Sequence, residues 1–176
     1  SDRRHRVADV RRSDPVTTHP IVVGGVAVGI LDILAAFAVR YAFTRGAPTR
    51  VLQGIASGLL GPAAFNGGVA TALLGLALHF VIAFGAAAVY FAVSRRWRFL
   101  VRHAIVSGVV YGVIVHWVMN TVVLPLSRLP MGPRTPPVSF TLTMIVVHML
   151  FVGLPIALAV KWGERAPAPY VPQNVR

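Results

Sequence analysis

The chain has 176 residues, of which 56% are hydrophobic and only 12% charged, and its mean hydropathy is +0.70. A water-soluble domain of that length needs more polar surface to cover itself, so that class is excluded. The absence of Cys removes disulfides, thiolate metal sites and cysteine nucleophiles, and the net charge of +12 sits at the ends of apolar blocks and in the tails, where it argues against nucleic acid and for a membrane surface.

Residues 1–20 form a polar arm carrying Arg3, Arg4, Arg6, Arg11 and Arg12 and ending at Pro20. The apolar run after it is too long for a signal-peptide core, so no cleaved leader is expected and Ser1 reads as a natural terminus. Four apolar blocks reach the length of about 20 residues that a helix needs to cross hydrocarbon. They run over about 21–43, 69–93, 99–124 and 138–162. Between the first two, residues 49–60 predict a short helix with Val51, Leu52, Ile55 and Leu59 on one side. It is too short to cross, so it lies in the interface or dips in as a re-entrant segment. Pro125 is expected to stop the third span and Pro155 to kink the fourth. A polar tail, 163–176, follows. The fold class is all-α: an integral membrane four-helix bundle, 21–162, with one short interfacial or re-entrant helix.

With four spans, both tails and the middle loop share one side. That side holds twelve Lys and Arg, including Arg95, Arg96 and Arg98 after the second span, against five on the other. The positive-inside rule then puts both termini in the cytoplasm. The basic arm and Arg95, Arg96 and Arg98 are expected to meet anionic lipids or a partner surface. Trp97, Trp162, Tyr41 and Tyr90, near the span ends, read as interfacial anchors.

Counting about 1.5 Å per residue from the span ends places Asp32, His79 and His148 near the midplane. His116 lies a turn closer to the outer face and Asn120 a turn beyond it. These positions share helix faces with small residues: Gly25 and Gly29 with Asp32, Gly75 with His79, and Gly108 and Gly112 with His116 and Asn120. Small residues let helices approach closely in lipid, so an intramembrane polar cluster of Asp32, His79, His116, Asn120 and His148 is expected to face inward. Asp32 is the only acid between Asp14 and Glu164. A carboxylate at mid-membrane costs roughly 2.5–3.5 kcal/mol on insertion scales, so it needs a partner, a cation, a retained proton or a function.

His79 and His148 could serve as axial ligands of a haem or (bacterio)chlorophyll, and with Asp32 and His116 they would make a His/carboxylate metal set. No HxxxH or ExxH spacing supports either. A phosphate loop, a nucleophile elbow and paired carboxylates are all missing, so no enzyme is expected.

The stretches 51–90, YGVIVHWVMNTVVLPLS (111–127) and HMLFVGLPIAL (148–158) resemble a group of small, uncharacterised four-span bacterial inner-membrane proteins. The resemblance covers about residues 20–160 and implies topology and bacterial origin, with no activity attached. The leading expectation is a non-catalytic accessory or structural subunit of a larger membrane complex, photosynthetic or respiratory, held by other membrane subunits. The rivals are a small proton- or ion-coupled carrier or channel using Asp32 and the midplane histidines, and a haem- or pigment-binding protein.

Overall fold

Hydrocarbon offers backbone groups no water, so a chain this apolar must satisfy them within helices. Every regular element among the described residues is helical in the computed structural model, which describes residues 19–129 and 136–164. The basic arm with Arg3, Arg4, Arg6, Arg11 and Arg12 lies outside them, as does the tail beyond Glu164.

The first span is α1, His19–Thr44, and the second is α3, Gly68–Arg96. Between them come α2, Pro48–Leu60, and a 3-10 turn, Gly61–Asn66. Gly61 and Gly68 flank that turn with φ of 67° and 57°, a left-handed backbone that glycine adopts without strain.

The third span differs from the expectation at both ends. Phe99–Arg102 is a separate turn, α4, and the crossing helix starts as α5, Ala104–Val118. It does not stop at Pro125: a π-helical segment, Met119–Val123, carries it into α6, Leu124–Leu126. The fourth span repeats the device, with α7, Val138–Val147, a π segment, His148–Gly153, and α8, Leu154–Gly163. Leu124 N–H bonds to the Met119 carbonyl and Leu154 N–H to that of Met149, each one residue longer than an α-helical bond. The longer register sets Pro125 and Pro155 in the first turn of a resumed helix, where a missing N–H is harmless. Both prolines are thus absorbed within spans. The four candidate crossings are His19–Thr44, Gly68–Arg96, Ala104–Leu126 and Val138–Gly163, which makes the molecule an all-α four-span bundle.

In the bundle α1 packs between α3 and α8, and the third span packs along the fourth. Glycines set the closest approaches. A Cβ on Gly25 or Gly29 would enter the rings of Phe84 or Phe80, and one on Gly75 would meet the Leu52 carbonyl of α2. Gly108 and Gly112 face the Gly153 and His148 carbonyls, and Gly153 is the reciprocal partner that lets the last two spans nearly touch.

Gly163 packs on Pro20, so the chain enters and leaves the bundle at one end, the terminal end. The core sits there, built from Val28, Ala87, Tyr90, Ala104, Ile156 and Val160 and their neighbours. Tyr90 is 1% exposed and is no interfacial anchor; it turns into the bundle because its hydroxyl pairs with Ser107 Oγ at 2.8 Å. Trp97, Trp162 and Tyr41 are exposed.

Candidate functional site

At the opposite end, α3 and the third span splay apart. Near the terminal end they meet through the Tyr90 and Tyr111 rings, whose centroids are 5.0 Å apart, and through the bond from Tyr111 Oη–H to the Ala86 carbonyl at 2.7 Å. Away from it the gap becomes a cavity of about 410 Å³. That volume is within the roughly 300–1,000 Å³ of small-molecule pockets. Its wall is mostly apolar, and its ionisable groups are Asp32, His79 and His148.

Helix α2 roofs this cavity. Its buried residues are Gln53, Ala56 and Ser57, while Leu59 is 54% exposed. Gln53 Nε2–H donates to the Gly68 carbonyl at 3.1 Å and Arg128 N–H to the Gly58 carbonyl at 2.8 Å, which ties the roof to the second and third spans. Leu52 rests on Gly75, and Val51, Ile55 and Leu59 line the cavity. Polar hydrogen bonds hold the helix in place and leave its apolar side for the space below.

Asp32 projects from the middle of α1. Its Oδ1 is buried and has no hydrogen-bond partner among the described residues. Leaving such a group unsatisfied costs about 1–3 kcal/mol, so the fold carries a polar group that packing alone would eliminate. His79, 8% exposed, donates its Nε2–H to the Gly29 carbonyl at 3.0 Å, joining α3 to α1 and leaving Nδ1 as a free acceptor. His148 donates Nδ1–H to the Met144 carbonyl at 2.7 Å, which leaves Nε2 free.

Asp32, His79 and His148 share the cavity, whereas His116 packs edge-on against His148, with ring centroids 4.9 Å apart. Asn120 faces outward and donates back to the His116 carbonyl at 2.8 Å; one turn along a helix keeps it beside His116, but the third span is rotated so that this side is exposed. His116 Nδ1 is buried without a partner among the described residues. Among the described residues no three His, Asp or Glu side chains gather as a metal would need. Each cavity imidazole does keep one nitrogen free with the other anchored to a carbonyl, the arrangement of a ligating His.

A second, open cavity of about 660 Å³ adjoins the first. The two share Ala36, Val51, Gly54 and Leu129 as lining. This outer vestibule holds Arg40 and Arg50 against Phe65, Phe140 and Met144. Neither the roof's orientation nor this pair of arginines was evident from the sequence, although the absence of acids between Asp32 and Glu164 signalled unpaired cations there.

Of the expected basic contacts, Arg98 pairs with Glu164 at 3.2 Å at the terminal end, Arg95 lies over the Phe91 ring at 5.9 Å, and Arg96 is exposed. Comparison with protein-family models, with curated proteins and with solved structures finds no match to the chain.

Proposed function

We propose that the chain is a small membrane binding and transport protein, whose site is the cavity under α2 and whose proton-carrying group is Asp32. One observation carries this reading: Asp32, one of whose carboxylate oxygens is buried without a partner among the described residues, lines a pocket-sized space with two imidazoles on its wall. A purely structural Asp in hydrocarbon would be hydrogen-bonded across helices. Both π segments border the same space, through Met119 and Val123 on one span and His148 and Val152 on the other. Such segments offer a second backbone register and are frequent at functional sites. The Asp32 carboxylate would take up a proton on one side and return it on the other. In a bacterial inner membrane the basic excess puts the termini in the cytoplasm and α2 at the outer face.

The test is reconstitution of the purified chain into liposomes under a pH gradient. Wild-type protein is expected to dissipate the gradient faster than protein-free vesicles, and Asp32→Asn to abolish the difference. Equal flux from the two proteins would overturn the proposal.

A second reading, the accessory subunit of a larger complex, is favoured by the third span. Only 6% of its most apolar stretch is buried, against 28–39% for the other three, and Asn120 and Trp117 lie on its exposed face. An amide facing outward within a span suits a neighbouring subunit that hydrogen-bonds it. Gentle purification from native membrane separates the readings: co-migrating subunits favour the complex, and a solitary chain favours the carrier. A visible absorbance spectrum in the same run would reveal a haem or pigment on His79 and His148.

A further inference from the structure

We infer that the outer vestibule binds the anionic head of a single-chain amphiphile, a phosphate or carboxylate held by Arg40 and Arg50, with its apolar chain lying in the deeper cavity. The inference rests on the transport reading only for what happens after binding. Arg50 reaches the Phe65 carbonyl at 3.3 Å and lies over the Phe65 ring at 5.8 Å, which aligns its guanidinium along the vestibule wall. Arg40 is set by the turn after α1, where Gly46 leaves room for its Nε and the Arg40 carbonyl accepts the Thr44 hydroxyl at 2.8 Å.

Neither arginine has a carboxylate partner among the described residues, and the one ion pair there is Arg98–Glu164 at the far end. Asp32 is about two turns of α1 below Arg40, on the deeper cavity's wall. Two guanidiniums without counter-charge beside an apolar wall favour an anion, and their planar donor forks match phosphate and carboxylate oxygens. Phe65, Phe140 and Met144 leave the rest of the vestibule apolar, and Ala36, Val51, Gly54 and Leu129 border both it and the deeper chamber, whose lining is apolar apart from Asp32, Ser127, His79 and His148. A free small anion would use the arginines and leave both apolar spaces to water. A cationic amphiphile would meet like charge at the entrance. An acidic head with one alkyl chain satisfies both regions.

The experiment uses the full chain in phosphatidylcholine nanodiscs, with calorimetric titration of dodecyl phosphate, dodecyl trimethylammonium and inorganic phosphate. Dodecyl phosphate is expected to bind, with the ammonium compound and inorganic phosphate each at least ~10-fold weaker. Arg40→Gln and Arg50→Gln are each expected to weaken dodecyl phosphate about tenfold. Equal binding of the two amphiphiles, or of inorganic phosphate and dodecyl phosphate, would overturn the inference, as would an unchanged affinity in the Arg40→Gln/Arg50→Gln double variant. The ligand comparison on wild-type protein decides the matter even if a variant misfolds. Loss of head discrimination with retained flux in wild-type protein strikes only the vestibule, and absent flux with retained discrimination strikes only the transport reading.

Discussion

The two ends of the bundle are built on opposite principles. At the terminal end Tyr90, Ile156 and Val160 are almost completely enclosed, and the hydroxyls of Tyr90, Ser94, Ser107 and Tyr111 all have partners. At the α2 end the third span draws away from α3, a cavity of about 410 Å³ opens, and Asp32 Oδ1 and His116 Nδ1 are buried without partners among the described residues. Stability is concentrated where the chain enters and leaves, and unsatisfied polar chemistry where the roof helix lies. A span can serve both ends because helix bonds satisfy its backbone locally, so its side chains pack tightly along one stretch and part along another.

The sharpest way to break that contrast is at the joint between the last two spans. Gly112→Ala drives a Cβ into the His148 backbone carbonyl, which cannot swing aside as a side chain can. A loss of about 3 kcal/mol is expected in reversible SDS unfolding from mixed micelles, the upper part of the range for overpacking. Gly85→Ala, whose Cβ meets open space, serves as the control and should gain a few tenths to about 1 kcal/mol from helix propensity. Similar losses at both positions would show that the close approach is not holding the spans.

The next contrast sets one end against the other. Asp32→Leu removes an unpartnered buried group and should raise stability by about 2 kcal/mol while eliminating flux, the trade-off of a group kept for function. Tyr90→Phe, at the closed end, removes a satisfied hydroxyl and should cost about 1 kcal/mol in the same assay, with flux retained. If Asp32→Leu destabilised the protein more than Tyr90→Phe, the carboxyl would have to be a structural group.

The smallest effect belongs to the rim. Arg98 is 75% exposed in its pair with Glu164, so Glu164→Gln should cost under about 0.5 kcal/mol, and that difference should vanish in molar salt. A larger, salt-resistant loss would mean that the terminal end depends on charge as well as packing.

Much of the architecture could be read along the chain. The length and hydropathy of four blocks define the spans, and the glycines at helical spacing with Asp32, His79 and His116 mark faces on which neighbours come close. Those signals are local, since each concerns residues within a few turns of one helix. They do not say which helix supplies the opposing face, and so Gly153, the reciprocal of Gly108 and Gly112, carried no mark beyond standing two residues before Pro155. Nor could they say that Pro125 lies within its span rather than ending it, because the π register that absorbs it depends on packing around the turn. The apolar side of α2 was visible in Val51, Leu52, Ile55 and Leu59, but that side suits lipid, a neighbouring helix or an internal space equally well. Only the splaying of α3 from the third span, a relation between segments distant in the chain, turned that side into the ceiling of a cavity and placed Asp32 beneath it.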